Sequence, residues 1–202
     1  MIVNEHPERW DTDWLEKVQA WAQRALGCAG RYLVVVHAAA RPTARGSALK
    51  LSKQVDVWVH ADLDVASEPL LLCDPRAPEN HTWLSEQRRA GLWPSSVVEL
   101  MVWMMGHELW HCEDERSSRV AVRPGDPGFA EMERRCDEAG FRLLGLWRSG
   151  GRELVERRVL ESRAHQRRRE ERVARETAGT RPGSLAEAQA RLRAARALEE
   201  DG

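Results

Sequence analysis

The first part of the chain carries one helical hydrophobic pattern followed by one continuous apolar run. In residues 12–26 apolar side chains recur at helical spacing, and a glycine follows them as a stop signal. Residues 32–36 are apolar and rich in β-branched side chains, which is typical of a buried strand. These patterns predict a helix over residues 12–26 and a strand over residues 32–36.

A second strand is predicted from the alternation of side chains at residues 55–60. Three valines there alternate with other residue types, and a period of two is typical of a half-buried strand, such as one at a sheet edge. The polar segment 41–53 contains a proline and a glycine and is predicted to be a loop or a hairpin connection. Prolines interrupt residues 61–93, where residues 70–72 suggest a short strand.

Two helices are predicted in the central part of the chain. Ser96 and Glu99 form a capping box at the start of the first helix, which is expected to continue to about Cys112. Asp126 followed by a proline is a typical start for the second helix. This second helix is expected to end near Trp147, before two glycines.

The character of the chain changes after residue 150. Residues 152–176 contain nine Arg and six Glu, which predicts a charge-laced and mostly solvated helix. Residues 180–183 form a breaker, and Ser184 with Glu187 makes a second capping box for a last helix. We therefore predict a domain over residues 1–150, and a charged helical tail over residues 151–202 that is an arm, an oligomerisation helix or a lid.

Composition narrows the class of protein. Hydrophobic residues make up 42% of the chain and charged residues 31%, which suits a soluble globular protein. No apolar run approaches the roughly 20 residues that span a bilayer. The first residues lack the pattern of a secretory signal. The four cysteines form no C-x-x-C pair, so we expect a reduced, cytoplasmic protein with no membrane partner.

Charge is distributed unevenly, although the net charge is only −1. Residues 1–60 carry a charge of +2, residues 61–147 carry −7 and residues 148–202 carry +4. The negative charge of residues 61–147 disfavours binding to the negatively charged backbone of nucleic acid. Arginines of the tail could form a basic stripe that contacts nucleic acid, but the glutamates among them favour ion pairs within the helix.

The candidate chemistry lies on the first central helix, in the sequence His107-Glu108-Leu109-Trp110-His111. The i, i+4 spacing places both imidazoles on one helical face, about 5–6 Å apart at Cβ. Two ring nitrogens can then reach one Zn²⁺. Glu108 projects beside them and can take a proton from a metal-activated water, as in the H-E-x-x-H pattern of zinc peptidases. The alternative is a pair of hydrogen-bonded histidines.

Two histidines leave a tetrahedral zinc site incomplete, so a third protein ligand is needed. The metzincin pattern requires a histidine where this chain has Ser117, and His165 in the tail is the only later histidine. Glu133 falls on the apolar face of the second central helix, where a carboxylate is costly unless it meets a cation. We predict Glu133 as the third ligand. The alternative is a surface salt bridge with Arg134 or Arg135.

Asp137 lies one turn after Glu133 on the same helix face. It could accept the second N–H of His107 or His111 and so fix the tautomer of that ring. The motif His107-Glu108-x-x-His111, followed by Glu133-x-x-x-Asp137, resembles the gluzincins. These are the zincin metallopeptidases that include the thermolysin-like and HtpX-like enzymes.

The resemblance covers about residues 95–147, roughly a quarter of the chain. It implies zinc ligation by His107, His111 and Glu133, with Glu108 as the general base and Asp137 orienting a histidine. The compact size suggests a small, minimal member of bacterial or phage type. The Tyr or His that stabilises the transition state in larger gluzincins has only Tyr32 and His165 as candidates.

The implied fold is α+β. We expect a minimal zincin-like core in which a small sheet lies beside the active-site helix and the third-ligand helix, with a C-terminal helical extension. The edge strand of such a sheet usually holds the substrate as an added strand, and residues 55–60 could play that part. A plain core strand is the alternative for this segment.

The function expected from this reasoning is a zinc-dependent peptidase that acts on a peptide or protein substrate. The alternative is a catalytically inactive zinc-binding domain that acts as a regulatory or partner-binding module. The sequence makes no prediction of the oligomeric state.

Overall fold

A small sheet and a set of helices form the described part of the chain. The computed structural model describes residues 1–28, 30–37, 39, 44–49, 51–60, 62–65, 76–113, 124–126, 128–178, 189–190 and 192–193. In chain order the elements are β1 (Ile2–Asn4), α1 (Thr12–Leu26), β2 (Leu33–His37), β3 (Ala44–Leu49), β4 (Gln54–Val59), a 3-10 turn (Pro78–Asn80), α2 (His81–Arg89), α3 (Val97–Glu113), α4 (Phe129–Leu146), a π-helical turn (Trp147–Gly151) and α5 (Arg152–Ala178). The predicted α+β class is confirmed.

The chain divides into two compact units, Met1–Glu156 and Arg157–Gly202. The sheet and the helices α1 to α4 belong to the first unit. The second contains most of the charged helix predicted from residue 152. The predicted strand at 70–72, the breaker at 180–183 and the capping box of Ser184 and Glu187 lie outside the described residues. Among the described residues, no helix has both the length and the apolar character needed to cross a bilayer.

The sheet is mixed and has the order β1-β2-β4-β3. β1, β2 and β4 run parallel, whereas β3 runs antiparallel to β4 and forms the outer edge among the described strands. The expectation that residues 55–60 form an edge strand is therefore wrong, because β4 lies between β2 and β3. The segment 41–53, predicted to be a loop or a hairpin connection, contributes β3. Of these two predictions, the hairpin agrees with the antiparallel pairing of β3 and β4. The small and polar residues of β3 have low strand propensity, so the sequence gives little signal for this strand.

A row of stacked side chains ties the edge strand to the rest of the sheet. Arg45 of β3 lies opposite Trp58 of β4, with its guanidinium 4.3 Å from the indole centroid. The His37 ring of β2 stacks on Trp58 at 4.4 Å, and its two nitrogens lie 2.9 Å from Glu5 and 2.8 Å from Asp56. Because each member packs on the next, this row fixes the position of β3.

The helix α3 is the centre of the fold. All its residues from 100 to 109 are buried, since it packs against β3 and β4 on one side and against α1 and α4 on the other. A helix that is apolar on every face is stable only in such a position. One half of the predicted capping box is present, with the Ser96 hydroxyl accepting the Glu99 N–H. The Glu99 carboxylate accepts from Ser95, one residue before the predicted donor.

The helix α4 begins later than predicted. Its N-cap is Gly128 with φ +92°, and the predicted cap, Asp126, instead accepts the Phe129 N–H through its backbone carbonyl. Pro127, which was predicted at the first helical position, lies outside the described residues. The helix ends at Leu146, close to the predicted end. The error arises because a glycine in the left-handed region can start a helix without a side-chain cap.

Glu99 also joins the start of α3 to the π-helical turn that follows α4. Arg148 donates from Nε and Nη2 to the two oxygens of the Glu99 carboxylate, at 2.9 and 2.7 Å. The same guanidinium donates to the backbone carbonyls of Gly91 and Trp93. Hydrogen bonds from Arg148 and Ser95 hold the pKa of Glu99 at about 2, below its ordinary value of 4.5.

Replacing Glu99 by Gln tests this link through its pH dependence. A carboxyl group with a lowered folded-state pKa stabilises the protein above its unfolded pKa and loses that contribution as the pH falls toward the folded value. We expect Glu99→Gln to lower the free energy of unfolding by roughly 1–2 kcal/mol at neutral pH, because solvent screens this partly exposed pair. The deficit should shrink as the pH falls from 4.5 toward 2.

Urea unfolding at neutral pH and at about pH 3 measures both parts of this prediction. Glu156→Gln is the matched control, since its ion pair with Arg152 on α5 is exposed and should contribute little. A deficit for Glu99→Gln that stays constant across this pH range would contradict the assigned link.

Candidate metal centre

Two helices supply the predicted site residues, and all of these residues except the half-buried His111 are buried. His107, Glu108 and His111 lie on α3, while Glu133 and Asp137 lie on α4. The exposed fractions are 8% for His107, 4% for Glu108, 7% for Glu133 and 4% for Asp137. These four account for most of the buried polar or charged residues in the described chain, so the polar interior is concentrated at this one place.

Two glycines allow α3 and α4 to cross closely at the site. A Cβ added at Gly106 would lie 3.0 Å from the Cα of Gly140, and one added at Gly140 would lie 2.7 Å from the indole nitrogen of Trp103. Larger residues would push the helices apart. The crossing point adjoins His107, so the close approach brings the carboxylates of α4 to the imidazoles of α3.

Three ligand atoms from the two helices converge on one point. The Nε2 atoms of His107 and His111 lie 3.0 Å apart. The Oε2 atom of Glu133 lies 3.5 Å from each of these nitrogens. The structure therefore brings together the residues that the sequence predicted as ligands, and it excludes the alternative in which Glu133 is merely a surface salt-bridge partner.

The spacing of these atoms fits a metal ion. In a tetrahedral site with bonds of about 2.0–2.1 Å, the ligand atoms lie about 3.3–3.4 Å apart. His107, Glu108 and His111 also form a group that could hold a metal ion, with ligand atoms within 4.8 Å of one another. Of the two carboxylates, Glu133 matches the expected edge of a tetrahedron, whereas Glu108 Oε1 lies 3.9 Å from His107 Nε2.

Asp137 lies on the far side of the His107 ring. Its Oδ1 atom is 2.9 Å from Nδ1 of His107, a hydrogen-bond distance, although the contact does not have the geometry of a regular hydrogen bond. In the neutral ring this contact favours a proton on Nδ1, so that Nε2, which faces His111 and Glu133, is the nitrogen available to bind a metal ion. This is the role that the sequence predicted for Asp137, and the structure selects His107 as the ring it contacts.

The electrostatics of the cluster show that it attracts positive charge. Burial alone would lower the pKa of His107, but contacts with Asp137 and Glu133 and the charge of Glu108 outweigh it, and the pKa is raised well above its ordinary value. Burial would raise the pKa of Glu133, yet the two imidazoles lower it far below the usual range. Protonated imidazole thus supplies positive charge among the carboxylates, as a bound cation would.

For the other two carboxyl groups, Glu108 and Asp137, burial outweighs the nearby imidazoles, and the pKa is raised rather than lowered. Burial raises the pKa of Glu108, and the charges of His107 and His111 only partly oppose it. Burial likewise raises the pKa of Asp137 against the contact with His107. A carboxylate with a raised pKa accepts a proton more readily, which is the direction that a general base requires.

The structure adds contacts of the site that the sequence did not predict. The Trp103 ring packs at 5.0 Å from the His107 ring, one helical turn before it, so that spacing was its only signal. Gly46 of β3 lies against Glu108, and nothing in the linear sequence connects them.

Tyr32, one of the two proposed stabilisers of the transition state, does not join this cluster in the described contacts. Backbone atoms of Tyr32 accept hydrogen bonds from Met1 and Gln19, and its ring faces Lys53. His165 lies on α5 in the second compact unit. Ser117, where the metzincin pattern requires a histidine, lies outside the described residues.

Comparison with models of protein families, with curated proteins and with solved structures finds no match to this chain.

Metal analysis of the purified protein tests the site directly. We expect about one divalent ion per chain, because three donors at tetrahedral spacing are already in place. Glu133→Ala should lose most of this metal, since removal of one of three ligands leaves only two imidazoles. The measurement is elemental analysis after dialysis against metal-free buffer.

Glu131→Ala provides the matched control, because Glu131 lies on the same helix but is exposed and pairs with Arg134. It should keep its full metal content. His165→Ala should also keep it, which separates the assigned ligands from the other candidate in the chain. Equal metal content in Glu133→Ala and Glu131→Ala would contradict the assignment of the third ligand.

Proposed function

We propose that the protein is a zinc-dependent peptidase of gluzincin type. The observation that carries the proposal is the convergence of His107 Nε2, His111 Nε2 and Glu133 Oε2, with a further buried carboxylate beside them. The three ligand atoms account for three corners of a tetrahedron. The Oε1 atom of Glu108 lies 3.9 Å from His107 Nε2, farther than the 3.5 Å of Glu133 Oε2, so we assign Glu108 as the general base rather than as a ligand.

The donor set favours zinc. Imidazole and carboxylate suit zinc, and two histidines with one carboxylate also bind iron in oxygenases. Glu108 decides between these chemistries in our proposal. A buried carboxylate beside the donors has a direct use in hydrolysis, because water must lose a proton as it attacks.

In the proposed mechanism, each residue has one task. His107, His111 and Glu133 would hold the ion, and Asp137 would orient His107 through its Nδ1. When bound, Zn²⁺ would polarise the scissile carbonyl and lower the pKa of a water molecule. Glu108 would accept the proton of the attacking water and deliver it to the leaving amine.

The edge strand β3 supports an extended peptide as the substrate. β3 is one of the two outer strands of the described sheet, the other being β1, and it runs beside Glu108. The outward backbone groups of an edge strand can pair with a further strand. A peptide added there would pass close to the metal-binding residues. This assigns to β3 the part that the sequence had suggested for residues 55–60.

The alternative function is a metal-binding module without catalysis. A structural zinc site has four protein ligands, so a shift of Glu108 into the fourth position would support that alternative. In the structure Glu108 Oε1 is 3.9 Å from the nearer imidazole nitrogen, farther than the tetrahedral spacing. The arrangement therefore favours a base beside the site over a fourth ligand.

Replacing Glu108 by Gln separates the two functions. If Glu108 is the general base, Glu108→Gln should keep the zinc and lose hydrolysis by about 10²–10⁴-fold, because the amide cannot accept the proton. Cleavage of a peptide mixture derived from a bacterial proteome, read by mass spectrometry, measures the loss. Elemental analysis of the same preparation measures the metal.

Glu113→Gln is the control on the same helix, since Glu113 pairs with Lys53 and lies outside the proposed machinery. It should retain both zinc and hydrolysis. Hydrolysis by Glu108→Gln at the wild-type rate would rule out the assigned base. A zinc-loaded wild-type protein that cleaves no peptide in the mixture would favour the binding module.

A further inference from the structure

A glycine in the middle of β3 has no conformational reason to be there. Gly46 is paired with Val57 of β4 and does not have a positive φ. Glycine inside a strand weakens it, because it adds backbone entropy to the unfolded chain and gives no side chain to pack. Such a position usually marks a place where another group approaches the backbone closely.

At Gly46 the approaching group is the Glu108 side chain. A Cβ added to Gly46 would lie 2.1 Å from Oε1, 2.5 Å from Cδ and 2.6 Å from Cγ of Glu108. All three separations are below 3.0 Å, a distance within which real Cβ atoms almost never approach another heavy atom. The whole outer half of the Glu108 side chain therefore occupies the space that any other residue at position 46 would fill.

We propose that Gly46 is a positioning residue, which holds the general base in place by leaving space for it. This inference rests on the proposed function, because it gives Glu108 its role as a base. The three closest atoms to the added Cβ all belong to Glu108, and none belongs to a metal ligand. A side chain at position 46 would thus displace the base and leave the three ligands in place.

The surroundings leave little freedom to relieve the overlap in another way. Glu108 is 4% exposed and lies on the buried helix α3. On the other side, β3 is tied to the sheet by the stack of Arg45, Trp58 and His37. A methyl group at position 46 is therefore expected to turn the flexible carboxylate away from its place rather than to move the strand.

The test begins with Gly46→Ala in the full-length, zinc-loaded protein. We expect zinc affinity to stay within about threefold of wild type, because no ligand is touched. We expect kcat for peptide cleavage to fall by about 10²-fold, the order of loss that a misplaced catalytic group causes. KM should change much less than kcat. Ser47→Ala, the exposed neighbour on the opposite face of β3, is the control and should behave like wild type.

A double-mutant cycle separates positioning from general damage to the fold. In the Glu108→Gln background, Gly46→Ala should cause no further loss of the residual activity, since the base is already absent. If Gly46→Ala reduces activity equally in both backgrounds, or if it loses its zinc, the proposal is overturned. An unchanged kcat in the single variant would overturn it as well.

Thermal unfolding gives a second reading that does not depend on catalysis. Overpacking at position 46 should lower Tm by about 3–8 °C in Gly46→Ala. Glu108→Ala removes the opposing side chain, so adding Gly46→Ala to it should cost no further stability. If wild type cleaves no peptide, the proposed function fails whatever Tm shows. If wild type cleaves peptides and Gly46→Ala does too, only the positioning role fails.

Discussion

The structure depends on how a cluster of ionisable side chains is neutralised where the helices α3 and α4 cross. Three carboxyl groups and two imidazoles lie within a few ångströms of one another, in a region largely withdrawn from water. An isolated buried carboxylate costs several kcal/mol, so such a cluster needs a compensating positive charge. Protonated imidazole supplies it in part, as the raised pKa of His107 indicates. A divalent cation among Nε2, Nε2 and Oε2 would supply it in full.

The surrounding fold serves this cluster through rigid, close contacts. The helix α3 is buried over residues 100–109 and packs against both the sheet and α4, which places His107 and Glu108 inside the unit. Gly106 and Gly140 let α3 and α4 approach, and without that approach the carboxylate of Glu133 would not reach the imidazoles. Glu108 extends toward the sheet instead, where Gly46 leaves space for it. We therefore assign metal binding to the α4 side of α3, where Glu133 lies, and proton transfer to the side that faces the sheet, where Glu108 lies.

Much of the site could be predicted from the sequence, because helical periodicity states which residues share a face. The spacing of His107 and His111 indicates one pair of ligands, and the apolar stripe around Glu133 indicates a carboxylate directed inward. Contacts between residues far apart in the sequence could not be predicted. Gly46 and Glu108 are 62 positions apart, and β3 has too few β-branched residues to give a strand signal. The alternation at residues 55–60 likewise states which residues share a face but not which strands are neighbours.

The central claim is that His107, His111 and Glu133 jointly bind one zinc ion. X-ray absorption at the zinc K-edge of the zinc-loaded protein measures its ligand shell directly. The account predicts four nitrogen or oxygen scatterers at about 2.0–2.1 Å, with the outer-shell scattering of two imidazoles. Sulfur scatterers at about 2.3 Å would instead place the ion on thiols such as Cys112 or Cys136. Both cysteines are buried, and they lie close in sequence to His111 and Glu133 respectively. Sulfur scatterers, or a shell without imidazole, would contradict the account.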